Sequence, residues 1–201
     1  MPVPSSLDTP PGDPFTLFDA WFAEASASER IDPNAMTVAT ATPSGRPAAR
    51  ILLLKGRDRS GFVFFTNTES RKGGELAANA QVALLFHWKS LARQIRIEGP
   101  VERVTDAEAD AYYATRTRFS RLGAWASRQS RPLASREALE AGVAEFDARH
   151  PDEAIPRPPH WTGFRCLPEH FEFWQDRPFR LHDRVTYTPE ATGWTIGRLY
   201  P

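Results

Sequence analysis

Residues 36–67, MTVATATPSGRPAARILLLKGRDRSGFVFFTN, decide the fold. Apolar stretches at 36–42, 48–55 and 62–67 are separated by a Pro-Ser-Gly turn and by a charged segment that runs from Gly56 to Gly61. Short strand-forming runs divided by turn residues predict consecutive antiparallel strands. Phe62 to Phe65, like Ala83 to Phe86, is continuously apolar, which predicts strands buried on both faces.

On the N-terminal side, Asp13 followed by Pro14 reads as an N-cap and first helical position. Leu17, Phe18, Trp21, Phe22 and Ala25 then recur at helical spacing to about Ser28. Prolines at 2, 4, 10 and 11 give residues 1–12 the composition of a poorly ordered arm. Downstream, the pattern predicts a short helix over 70–79 and strands over 82–88 and 93–104. Helices follow over 105–115, 120–126 and 135–149, the first opened by a Thr105-to-Glu108 capping box. An extended proline-rich connector at 151–159 leads to strands at 163–167, 171–175, 182–187 and 194–199. Strands at both ends with helices inserted between them predict an α+β protein: an antiparallel split β-barrel with helices packed outside, one domain over 13–201.

Composition narrows the function. The chain has 201 residues, 25 basic and 25 acidic side chains and no formal net charge, which argues against bulk binding to nucleic acid or an anionic membrane. A single cysteine, Cys166, forms no internal disulfide, and no apolar run approaches the roughly 20 residues of a membrane helix. A cytoplasmic protein is expected. His160, Cys166 and His170 share parity but lack a fourth ligand at short spacing, so no metal site is expected. Rossmann, P-loop, zincin and α/β-hydrolase motifs are absent from the sequence.

Local cation clusters are the positive signal. Thr66, Ser70, Arg71 and Lys72 fall at a strand-to-helix junction, where backbone N–H groups and the helix dipole favour a phosphate; a solvated helix start reads as well. Arg50 and Lys55 bracket Ile51, Leu52, Leu53 and Leu54, but their opposite parity puts them on opposite faces of a regular strand. Arg116, Arg118 and Arg121 form another anion-friendly set near Tyr112 and Ser120. Arg180, His182 and Arg184 share parity, so in one extended segment they would project together and repel unless an anion lies opposite. Of the 25 basic residues only Lys55, Lys72 and Lys89 are lysines, a bias that draws weak attention to each.

All of these clusters but the one at 116–121 lie in motifs: RILLLK at 50–55, FFTNxxSRK at 64–72 and RLHDR at 180–184, joined by RQIRIEG at 93–99, GAWASxQS at 123–130 and FWQ at 173–175. In chain order they resemble the pyridoxamine 5′-phosphate oxidase family from about residue 13 to residue 201. The resemblance implies a homodimer with FMN held between subunits, O2 as oxidant and a small phosphorylated pyridine as substrate. It assigns FMN contacts to 50–55, Phe65, Thr66, Arg71, Lys72, Gln94, Gln129, Ser130, Trp174 and Arg184. It assigns the substrate phosphate to Lys55, Tyr112, Arg116 and Ser120, and the pyridine ring to Arg180, Leu181 and His182, with Arg180 and His182 catalytic. The sequence departs from the family at Thr117, Phe65 and Thr162, and its first 12 residues lack the Arg and Tyr of the usual substrate-covering arm. A phenazine-type flavin oxidase and a non-catalytic flavin- or haem-binding split barrel are the alternatives.

Overall fold

Asp13 caps the first helix, α1 (Pro14–Ser28), its carboxylate accepting from the backbone N–H of Phe15 and Thr16 at 3.2 and 3.1 Å. Pro14 at the helix start has no N–H to satisfy, as the sequence pattern required. One face of α1 carries Phe15, Phe18 and Trp21 into a core shared with Phe62, Phe86, Trp88, Phe171, Phe173 and Tyr187. Phe18 and Trp21 are fully buried, and truncating such a ring to Ala typically costs about 3–5 kcal/mol.

The computed structural model describes residues 5–152 and 154–201. After α1 come β1 (Ala35–Ala41), β2 (Pro47–Leu53), β3 (Gly56–Asp58), β4 (Gly61–Asn67), α2 (Arg71–Ala78), β5 (Gln81–Trp88) and β6 (Arg93–Arg103). Helices α3 (Asp106–Ala114), α4 (Arg118–Ala126) and α5 (Arg136–Arg149) precede β7 (Trp161–Cys166), β8 (His170–Gln175), β9 (Asp183–Glu190) and β10 (Gly193–Arg198). All pairings are antiparallel, in the order β10-β9-β8-β6-β5-β1-β2, with β3, β4 and β7 joined through β6. The long β6 bridges the two parts: Arg93 to Glu98 pair with β8, and Val101 to Arg103 pair with β7. Strands β2 and β4 do not pair with each other, so the curled sheet stays split between them.

β4 is buried on both faces, as its apolar run predicts: Phe62 and Phe64 enter the main core, while Val63 packs with Val104, Ala109 and Phe65 beneath α3. β5 is different. Val82, Leu84 and Phe86 face the core, but Ala83 and Leu85 are only half-buried, so the expectation of burial on both faces is corrected there. The described part of the expected loose arm, residues 5–12, is also packed. Leu7 is fully buried, Trp21 Nε1 donates to Ser6 Oγ at 2.8 Å, and Tyr187 Oη donates to the Pro11 carbonyl at 2.8 Å. Residues 1–4 lie outside the described residues. No described helix is long and apolar enough to cross a membrane.

Candidate active site

The site lies along the split between β2 and β4. A cleft of about 390 Å³ is lined by Leu52, Phe65, Thr66, Arg116, Ser120 and Gln129, among others. An adjoining cavity of about 180 Å³ shares Phe65, Arg116 and Trp161 with it and adds Leu53, Lys55 and Tyr112. The parity conflict between Arg50 and Lys55 dissolves here. β2 ends at Leu53, leaving Lys55 beyond the strand, and β2 is a sheet edge that places Leu52 and Leu53 in adjoining cavities. Ile51 points to solvent, and Leu54 is a core residue whose N–H and C=O both bond to Asn34.

Stacked rings form one wall. Phe65 lies 4.1 Å from Tyr112 and 5.0 Å from Trp161, centroid to centroid. Gly163 makes room for Phe65: a Cβ there would come within 2.7 Å of its ring and 2.8 Å of Val104. The Arg116 guanidinium sits 4.9 Å over Trp161, and its Nη1 is buried with no hydrogen-bond partner among the described residues. Burial lowers its pKa from the ordinary arginine value. Thr117 caps α4, accepting from Ser120 N, so the threonine departure serves the helix that carries Ser120.

At the other end, Ser70 caps α2 by accepting from Gly73 N. A Cβ on Gly73 would fall 2.2 Å from the Thr68 carbonyl, so glycine is what lets the helix start this close to β4. Lys72 Nζ donates to Thr66 Oγ1 at 2.8 Å and Gln129 Oε1 at 2.7 Å. Burial, reinforced by the Arg50 charge, pushes the Lys72 ammonium down to about 8. Ser130, at the end of this loop, is exposed and holds a left-handed φ of 69°. Arg50 and Arg71 converge on Glu75, at 3.2 and 2.8 Å. A hydrogen bond from Thr40 first, and those from Arg71 and Arg50 after it, hold the Glu75 carboxyl below the usual range against the opposing effect of burial.

The remaining expected residues are elsewhere. Gln94, Trp174 and Arg184 line a separate pocket of about 280 Å³ with Arg96 and Glu172. Register explains their adjacency, since Trp174 is paired with Gln94 on one side and Arg184 on the other. Arg184 Nε donates to Glu172 Oε1 at 2.6 Å, and Arg96 ion-pairs with both Glu172 and Glu98 at 2.7 Å. Burial pushes the Glu172 carboxyl up, but Arg184 and Arg96 outweigh it and leave it below the usual range.

The expectation that Arg180, His182 and Arg184 share one strand face is corrected. Pro178–Arg180 is a 3₁₀ turn with φ of 60° at both Phe179 and Arg180, and β9 begins only at Asp183. Two consecutive left-handed non-glycine residues turn the chain, so counting by twos fails. His182 instead rests on Trp174, centroids 4.7 Å apart, with Nδ1 3.0 Å from Asp176 Oδ1 and 3.1 Å from Arg177 N. Arg180 and Leu181 are exposed. Sequence reading passed over Glu75 and Glu172; an Arg-x-x-x-Glu spacing from Arg71 was the available signal for the first.

Known proteins match this chain along most of its length. A family model described as pyridoxamine 5′-phosphate oxidase matches residues 22–150, and one described as the pyridoxine 5′-phosphate oxidase C-terminal dimerisation region matches 161–201. The chain is 65% identical over 189 residues to a pyridoxine/pyridoxamine 5′-phosphate oxidase of Gluconobacter oxydans, covering 94% of each chain. It is 61% identical to one of Azorhizobium caulinodans, covering all of this chain and 95% of that one. Among solved structures it is similar to PhzG of Burkholderia lata 383 in complex with tetrahydrophenazine-1-carboxylic acid, with a TM-score of 0.92, 34% identity, and coverage of 100% of this chain and 98% of that one. Matched along nearly its whole length, with its cations and stacked rings gathered at the split of the barrel, the chain belongs to the pyridoxamine 5′-phosphate oxidase family.

Proposed function

We propose that the protein is an FMN-dependent oxidase that converts pyridoxamine 5′-phosphate and pyridoxine 5′-phosphate to pyridoxal 5′-phosphate, with O2 as acceptor and hydrogen peroxide as product. It acts as a cytoplasmic homodimer in which residues 13–201 form one flavin-binding unit. The observation that carries this reading is the cleft's charge. Among the described residues Lys55, Lys72 and Arg116 ion-pair with no carboxylate, and Arg116 Nη1 is buried without a partner. Lys72 is buried, Arg116 half-buried and Lys55 exposed at the cavity mouth; cations left without counter-charge suit anionic ligands, and the arrangement fits two phosphates flanking flat rings.

Arg50, Arg71, Lys72, Thr66 and Gln129 would hold the FMN phosphate and ribityl chain, and Lys55, Tyr112, Arg116 and Ser120 the substrate phosphate. When bound, FMN supplies the two-electron acceptor for the substrate carbon bearing the amine or alcohol, and O2 reoxidises it. Clamping the substrate phosphate fixes the orientation of the pyridine ring and removes the entropy of finding it. Arg180 and His182 orient that ring and handle the proton at the reacting substituent. Gln94, Trp174 and Arg184 belong to the same proposed flavin set, yet they line a pocket that shares no residue with the cleft. In a homodimer a second copy would supply them, and Trp174 and Arg184 fall inside the matched dimerisation region, which supports this reading.

The likeness to PhzG keeps a second reading, oxidation of a reduced phenazine carboxylate, since a carboxylate also suits Arg116. The much higher identity to pyridoxine/pyridoxamine 5′-phosphate oxidases favours the first. The test is anaerobic addition of pyridoxamine or pyridoxine 5′-phosphate to the flavin-loaded protein. Bleaching of the visible flavin band, with recovery in air, is expected. A band bleached only by a reduced phenazine carboxylate supports the second reading, and one bleached by neither overturns both.

A further inference from the structure

Glu75 is the one acidic side chain on α2 that is buried at the site, and it points at cations rather than at solvent. Its Oε1 accepts from Arg71 Nε at 2.8 Å, and its Oε2 accepts from Arg50 Nη2 at 3.2 Å and from Thr40 Oγ1. Arg50 is gripped further: Nη1 donates to Thr40 Oγ1 at 2.6 Å and to the Val38 carbonyl at 3.0 Å. Arg71 is not gripped elsewhere among the described residues, and its side chain is 55% exposed. Bonding through Nε leaves the two terminal nitrogens of Arg71 facing outward as a pair, the fork that matches a phosphate. One carboxylate thus fixes two guanidinium groups from behind, and Lys72, beside them, takes no part in the ion pair.

We infer that Glu75 is a positioning residue for phosphate recognition: it touches no ligand, and it sets Arg50 and Arg71 in the orientation that grips the phosphate of FMN. The inference rests on the flavin reading above. Electrostatics alone makes the opposite forecast, because a negative charge beside an anion site weakens binding and its removal should strengthen it. Orientation wins if ordering one or two long side chains is worth more than the charge that Glu75 cancels.

Titration of the apoprotein with FMN and with riboflavin, which lacks the phosphate, separates these possibilities. Native protein is expected to bind FMN far more tightly than riboflavin; equal affinities would overturn the flavin-phosphate reading itself. Glu75→Gln is expected to weaken FMN binding by about tenfold or more while leaving riboflavin binding unchanged, the cost of losing the order of one or two arginines. FMN affinity that is unchanged or raised overturns the inference, and so does a parallel loss of FMN and riboflavin, which would mark a merely structural role. Glu75→Asp keeps the charge but is one methylene too short to span both arginines, so the same selective loss is expected there; this variant decides the matter if Glu75→Gln does not fold. Combining Glu75→Gln with Arg71→Ala completes the cycle. The double variant should bind FMN no worse than Arg71→Ala alone beyond the share carried by Arg50, and full additivity would overturn coupling through Arg71.

Discussion

The cleft beside β2, with the cations of β2 and α2 next to it, and the pocket beneath β9 both gather positive charge, and they differ in what faces that charge. In the pocket, Arg96 and Arg184 meet Glu98 and Glu172, so each guanidinium has its counter-charge within the chain. Beside the cleft, Arg50 and Arg71 share the single carboxylate of Glu75, and Lys72 reaches the lining residues Thr66 and Gln129; Lys72, and Lys55 and Arg116 in the cavity walls, ion-pair with no carboxylate among the described residues. A balanced set of charges is chiefly architecture. An unbalanced one suits an anionic ligand, which is why the proposed function assigns its phosphates to this side of the molecule.

The sharpest way to break this contrast is Arg116→Ala. The Michaelis constant for pyridoxine 5′-phosphate should rise by about 30-fold or more, the scale of losing a buried charge-assisted contact, with FMN affinity little changed. Equal losses of substrate and flavin binding would show that the cleft is not divided as proposed. Glu172→Gln addresses the other region. Removing the pocket's buried counter-charge should lower unfolding stability by about 1–3 kcal/mol in a denaturant titration. The effect should grow with pH above the acidic range, where native Glu172 is ionised, because its folded pKa is lowered and its stabilising contribution is lost only in acid.

A smaller effect concerns pH. Lys72 titrates at about 8 in the folded ligand-free protein and near 10.5 unfolded, so between those values the unfolded chain holds more protons. Apoprotein stability should therefore rise across that window through Lys72. Affinity for FMN should fall over the same range as the ammonium loses its charge, and Lys72→Met should remove that step from a fluorescence titration. An unchanged pH profile in the variant would assign the step to another group.

How much of this was legible in the sequence depended on the range of the interaction. The start of α1 was local, written in Asp13 and Pro14, and the double burial of β4 was local in Phe62 to Phe65. Lys55, Phe65, Thr66 and Gln129, singled out in motifs, and Tyr112, Arg116 and Ser120, singled out as a cation cluster and by resemblance, do line the cleft and its adjoining cavity. The turn at Phe179 and Arg180 was not legible, because neither residue favours positive φ and only the surrounding structure imposes it. The alignment of Gln94, Trp174 and Arg184 is a matter of register among three strands, and the Arg50 to Glu75 pair joins residues 25 apart. The proline-rich start misled for a similar reason: Leu7 has a burial site that only the completed barrel provides.

That burial site carries a kinetic consequence. Arg198 donates to the carbonyl of Leu7 across 191 positions of sequence, and Tyr187 reaches Pro11 across 176. The rings of α1 meanwhile wait for Phe171 and Phe173, which arrive late from β8. Phe15 and Phe18 also meet Phe62, and Phe18 meets Phe86, so α1 finds some of its partners among the nearer strands, but its core is complete only when β8 is in place. Contacts this far apart in sequence require a large loop to close, a topology that as a rule slows folding.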